Sequence, residues 1–293
     1  MEIFDINNEK IETLFEEKLC KPGDLKECPH CDGKLVIKYG NYKNGQRYLC
    51  KECFKTFSKR TNTPIYYSKK KLSLWVDFID LMFKKETLRN SSNELKIGLT
   101  TSFYWRHKVM HALMPLNQAK KLESTVEITK ILVKENFKGS KNPPVGERDV
   151  LWVITAADCS KRILACPISK NIWDRKRFEK VVYSCIDKDS YLSTYGDRYL
   201  GIVAGEHNKD KDEENQKNVS YILREGILRK YLKDVVSALI KYHGVATKYI
   251  TYYLSWIKIF CISQNTSALD MLCKLSRYGD YIRRKDLKFI KAI

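Results

Sequence analysis

CPHCDGKLVIKYGNYKNGQRYLCKEC, residues 28–53, carries two Cys-x-x-Cys pairs, Cys28 with Cys31 and Cys50 with Cys53, separated by eighteen residues. Each pair can wrap a tight knuckle that aims two thiolates at one point, and two knuckles complete the tetrahedron that Zn²⁺ accepts. The residues between them alternate like two strands, with Asn44-Gly45 at the tip as a type I′ turn signal. The spacing therefore predicts a zinc ribbon with a closed, structural four-thiolate site. His30 lies inside the first knuckle and is a possible substitute ligand, but with four cysteines at hand it reads as a bystander. Cys20, Cys159, Cys166, Cys185, Cys261 and Cys273 lack such spacing and read as small buried hydrophobes.

No apolar run approaches the ~20 residues needed to span a bilayer, and the N-terminus MEIFDINNEK lacks both a basic and an apolar export region. Metal binding rather than disulfide bonding then suits the cysteines, and the expected location is the cytoplasm, nucleoid-associated in a prokaryote, with no membrane partner. With 54 Lys+Arg against 35 Asp+Glu in 293 residues, the formal charge of +19 favours a polyanionic partner, double-stranded DNA first. At 43% hydrophobic the chain can bury a core and is not a disordered basic tail.

Ahead of the ribbon, Ile6, Ile11, Leu14, Phe15 and Leu19 share one helical face, which predicts an amphipathic helix packed on the ribbon. Behind it comes a polar, basic link that includes Lys69, Lys70 and Lys71. From Leu72 the period is helical, with Leu72, Trp75, Val76, Ile79 and Phe83 recurring at three and four. SSNE, residues 91–94, has capping-box spacing, Gly98 sits where a helix must turn, and a basic, aromatic helix follows from Thr100 or Thr101. That order is a helix-turn-helix, or at its plainest a helical hairpin. In the first reading the third helix enters the major groove and presents Ser102, Tyr104, Arg106, His107 and Lys108 to DNA. Arg106 is the choice for a guanine, because a guanidinium can bond O6 and N7 together.

RYLCKECFKTFS, NTPIYYSKKKLSLW and TSFYWRHKVMHAL, with CPHC and the N-terminal helix, resemble in order and spacing the first half of transposases of insertion sequence family 1595. The resemblance continues in VEI (126–128), NFKGS (136–140), VLWVITAADCSKRI (150–163) and HGVATKYITYYLSWIKIF (243–260), and covers residues 1–262. It implies a zinc ribbon and helix-turn-helix joined to a DDE-type catalytic domain with an RNase H-like fold. The fold class is thus α+β multidomain. Residues 1–60 form the helix and ribbon, 61–122 the helix-turn-helix, 123–262 an RNase H-like domain with a mixed sheet, and 263–293 a basic extension read as a solvated helix.

The second half suits that fold. Residues 150–169 read as two strands joined at residues 158–161, and WDRKRFEKVVYSCI as a helix with Phe178, Val181, Val182 and Cys185 inward. SYLSTYGDRYL reads as a third strand and turn, and residues 206–218 as a solvated, charged loop. On the 250s helix, Tyr249, Ile250, Tyr253, Leu254, Ile257 and Phe260 face inward, while Lys248 and Lys258 face out.

DDE chemistry uses two Mg²⁺ ions about 4 Å apart, held by carboxylates. Where the resemblance puts the first two ligands this chain has Thr129 and Tyr195, with Lys130 beside the first, and Arg229 falls near the third. Two readings follow. One is a DNA-binding protein derived from a transposase, without catalysis, in which the second half serves as scaffold or homo-oligomer interface. The other is an active, Mg²⁺-dependent transposase with a triad shifted by two residues to Glu127, Asp197 and either Glu225 or Asp234.

Overall fold

The structure, a computed structural model, describes residues 2–19, 27–42, 45–117, 121–194, 196–211, 226–263 and 265–290. The chain divides into two units, Met1–Leu116 with Asn265–Leu287, and Asn117–Gln264 with Lys288–Ile293. Among the described residues no helix is long and apolar enough to cross a membrane.

The first unit begins with α1 (Glu2–Leu19), followed by a three-stranded antiparallel sheet of β1 (Val36–Tyr42), β2 (Gly45–Cys50) and β3 (Thr56–Ser58) in that order. The hairpin predicted between the cysteine pairs is present, with Ile37 opposite Leu49, while Asn44 lies outside the described residues. Cys28, Cys50 and Phe57 form the small core of this module, and Tyr48 stacks on Phe57 with ring centres 5.7 Å apart.

Three helices follow: α2 (Leu72–Phe83), α3 (Leu88–Glu94) and α4 (Leu99–Leu113). Leu72, Trp75, Phe78, Ile79 and Met82 of α2 are buried, and Trp75 stacks at 3.9 Å on Trp105 of α4. The cap of α3 is Thr87, whose side chain accepts from the Asn90 amide, so Ser91 is a buried helix residue and not the start of a capping box. Gly98 is the N-cap of α4 in extended backbone, and the left-handed turn residue is Lys96, at φ 49°.

Residues 265–287 are not a solvated extension. They supply α9 (Ala268–Tyr278), which buries Met271, Leu272 and Leu275 and packs on α1, α2 and α4. α1 in turn packs on α2 and α9 and not chiefly on the ribbon: Phe15 and Leu19 are buried, and Lys18 pairs with Asp270. Leu14 is exposed, and the Ile6 side chain is outside the described part.

The second unit is built on β4 (Thr125–Lys134), β5 (Val150–Asp158), β6 (Ile163–Lys170) and β7 (Tyr191–Thr194), in the order β6-β5-β4-β7. β4–β5 and β5–β6 are antiparallel, and β4–β7 is parallel, with Glu127 opposite Ser193. One face carries Val126, Ile128, Trp152, Ile154 and Ala156, covered by Phe178 and Val182 from α5 (Arg175–Val181) and its C-terminal turn, and by Leu200 and Val203 from α6 (Arg198–His207). Val181 and Cys185, expected inward, are half-buried. α6 is not among the expected elements; it follows β7 directly, with Asp197, three residues after Thr194, as its cap.

α7 (Ile227–Lys241) and α8 (Ile250–Ile262) complete the unit. Ile250, Tyr253, Leu254, Ile257 and Phe260 of α8 are buried as expected, with Tyr249 just ahead of it, and so are Trp256 and Ile259. Lys258 does not face out. It donates to the Asn117 carbonyl at 3.2 Å, and burial pushes its pKa down to about 8. The loop before α8 clasps the segment after β4. The Asn136 amide donates to Thr247 Oγ1 at 2.8 Å, the Thr247 amide to the Asn136 carbonyl at 2.9 Å, and Lys138 to the Tyr242 carbonyl at 2.9 Å. Gly244 turns this loop at φ +83°, and a Cβ there would strike the Asn136 side chain.

Candidate functional site

Cys28 and Cys31 lie in the first knuckle, and Cys50 and Cys53 flank the end of β2. Their sulfur atoms all lie within 4.8 Å of one another, with Cys28–Cys53 at 3.6 Å and Cys31–Cys50 at 3.7 Å. A tetrahedral ion with metal–sulfur bonds of ~2.3 Å requires sulfur separations of ~3.8 Å, so the four residues fit a structural metal ion such as zinc. The His30 amide donates to Cys28 Sγ at 3.4 Å, but its exposed ring is not one of the group. The amide of Cys53 brings the Cys50 thiol down to about 7. Although the Gly33 amide favours its thiolate, crowding by Cys53 and Cys50 pushes Cys31 up to about 12. Four thiols so close resist ionising together, and a cation among them removes that resistance. Of the other described cysteines, Cys261 and Cys273 are buried, Cys166 and Cys185 half-buried and Cys159 exposed, so the expectation of burial fails for Cys159.

α4 presents a different face from the one its sequence suggests. Ser102, Arg106 and His107 are buried. Ser102 Oγ donates to the Leu88 carbonyl at 3.1 Å, Arg106 donates to the Glu86 carbonyl at 2.5 Å, and His107 Nδ1 lies 2.8 Å from the Phe103 carbonyl. These three tie α4 to the chain before it and are not placed to touch DNA. Tyr104 and Lys108 are half-buried, and Lys108 donates to the Tyr66 carbonyl at 3.1 Å. Lys69, Lys70 and Lys71 are exposed ahead of α2.

On β4, side chains alternate between faces. Lys130 falls on the Val126 and Ile128 face, its ammonium 4.2 Å from the Trp152 ring centre and 2.5 Å from Asp197 Oδ2. Although burial works against it, the Leu200 amide and Lys130 together hold the Asp197 carboxyl below the usual range. Glu127 and Thr129 point to the opposite face. Glu127 is buried, its Oε1 has no hydrogen-bond partner among the described residues, and burial pushes its carboxyl up to about 7.

Among the described residues Glu127 and Asp197 therefore lie on opposite sides of the sheet. Asp197 is a helix cap beyond the end of β7 and serves the other side of the sheet, so the two-residue repeat of a strand does not carry it to Glu127. Among the described residues only the four cysteines form a group of three or more His, Cys, Asp or Glu side chains close enough to share an ion. Asp234 is half-buried on α7 and belongs to no such group, and Arg229 is exposed on that helix while Leu228, Tyr231 and Val235 turn inward. Tyr195 and Glu225 lie outside the described residues.

The chain is related to a mobile-element protein. Over 114 residues it is 33% identical to an uncharacterized protein in transposable element ISH50 of Halobacterium salinarum. That stretch is 38% of this chain and 38% of the length of the relative. No family model matches the chain, and no solved structure does.

Proposed function

We propose that the chain is a DNA-binding protein descended from an insertion-sequence transposase of the family 1595 type. In this reading a zinc ribbon and the α3–turn–α4 helix-turn-helix engage double-stranded DNA. The mixed-sheet unit is an RNase H-like domain that no longer cuts. A first strand placed centrally, antiparallel to its successor and parallel to a later strand, supports the RNase H-like part, and the ISH50 relative supports the descent.

The observation that carries the reading is the Lys130–Asp197 ion pair. Beside the place where the resemblance puts the first metal ligand stands an ammonium, already neutralising the one acidic side chain at the end of β7. Thr129 offers a neutral oxygen, and Glu127 is a carboxyl that burial pushes up to about 7, its Oε1 without a hydrogen-bond partner among the described residues. Mg²⁺ needs several charged oxygens converging on one point, which this arrangement does not supply. The charge of +19 supports phosphate binding, and the nucleoid of a prokaryote is the corresponding location.

The test is fluorescence anisotropy of the full chain with mixed-sequence duplex DNA over a salt series, followed by selection of preferred sites from a random pool. Salt-dependent binding with enrichment of one sequence is expected. A chain that holds no duplex even at low salt sinks the proposal.

A further inference from the structure

We propose that residues 280–285 form part of the DNA-contacting surface, laid along the outward face of α4 and supplying the phosphate-gripping cations that α4 itself lacks. This rests on the DNA-binding reading above and adds the residues that do the gripping. With Arg106 turned inward, the polar outward side of α4 is Tyr104, Lys108 and His111, and residues 280–284 meet each of them. The Arg284 guanidinium lies 4.3 Å over the Tyr104 ring, Lys108 Nζ lies 5.5 Å over Tyr281, and His111 Nε2 is 3.4 Å from the Asp280 carboxylate. The Tyr281 ring also packs edge-on against Tyr66 at 5.4 Å, which fixes the segment to the loop ahead of α2.

The charge of the segment decides between covering the surface and being the surface. A strap that occluded a DNA site by imitating phosphate would be acidic, whereas Arg283, Arg284 and Lys285 are three consecutive exposed cations. A guanidinium held over a tyrosine ring keeps N–H donors for an incoming phosphate and loses little freedom on binding. Lys108, in contrast, is spent on the Tyr66 carbonyl, and burial lowers its pKa. The same surface continues into Tyr67, which is 77% exposed, held at φ 60° and packed on Tyr66 at 4.0 Å, and then into Lys69 and Lys70.

The test is the salt dependence of mixed-sequence duplex binding by the full chain, wild type against Arg283→Gln/Arg284→Gln/Lys285→Gln. Each phosphate contact contributes ~0.9 to the slope of log K against log salt, so the triple variant should lose about 2 to 3 from the slope and bind at least about tenfold more weakly. An unchanged slope and affinity overturns the proposal, and so does tighter binding, which would make the segment a cover. If the triple variant melts early, Arg283→Gln/Lys285→Gln leaves the stacked arginine in place and should still lose about 1 to 2. Failure of the wild type to bind duplex DNA would instead defeat the DNA-binding reading, and this inference with it.

Discussion

The Lys130 ammonium sits 2.5 Å from the Asp197 carboxylate, joining the middle of β4 to the cap of α6 across the apolar face of the sheet. The Asp197 side chain is only 8% exposed, so removing its partner leaves a buried charge. Lys130→Met should destabilise the chain by about 1–3 kcal/mol in urea unfolding at pH 7. The folded pKa of Asp197 is depressed, so its contribution is present above the unfolded value and is lost as pH falls through the folded one. The penalty of Lys130→Met should accordingly shrink in melts taken below about pH 4. An unchanged penalty there would assign the loss to packing on Trp152.

Glu127 is the opposite case. Its folded pKa is raised to about 7 by burial, so the stability it contributes is fully present below the unfolded value and is lost as pH rises through 7. Glu127→Gln should therefore be neutral near pH 4 and stabilising by about 1–3 kcal/mol at pH 8. Thermal melts across that range check it. A parallel offset at every pH would show that the carboxyl titrates normally.

The clasp between the segments after β4 and before α8 yields a third expectation. Gly244→Ala faces both a left-handed φ and the Asn136 side chain, and should cost about 1–3 kcal/mol. Asn136→Ala in the same chain should relieve only the steric part. A wild-type melting temperature for Gly244→Ala would mean that the loop shifts freely and the clasp holds nothing.

The parts of this molecule set by local chemistry were legible in its sequence. Two Cys-x-x-Cys pairs can only bend back on themselves, and the strands over residues 150–170 follow from uninterrupted apolar runs with a polar turn between them. What failed depended on partners distant in the chain. Arg106 reads as an outward cation until the Glu86 carbonyl, twenty residues earlier, is found waiting for it. Lys258 is drawn in by the carbonyl of Asn117, and Asp197 is drawn by Lys130 to the side of the sheet opposite Glu127. The docking of α9 is hidden because Met271, Leu272, Cys273 and Leu275 lie among Asp270, Lys274 and Arg277 and ahead of a basic run, so the stretch reads as a solvated helix. One signal was available for α6: Asp197 followed by an apolar pattern at Leu200, Val203 and Ala204 is a helix start.

Metal removal tests the cysteine cluster. The purified chain should carry a single zinc ion, measured by plasma emission, and Cys50→Ser should lose it and unfold the β1–β3 module, because ligand binding and folding are coupled in such small cores. Zinc-free protein with an intact module would leave the four thiols as a purely apolar cluster.

Strand cleavage separates a DNA-binding remnant from a working transposase. The full chain is incubated, in Mg²⁺ and then in the more permissive Mn²⁺, with DNA bearing the sequence it retains most tightly. The account predicts bound but intact DNA in both metals. It predicts the same for Thr129→Asp, because two-metal chemistry needs its ligands together and one restored carboxylate does not supply them. Metal-dependent nicked or joined product that disappears in Glu127→Gln would contradict it.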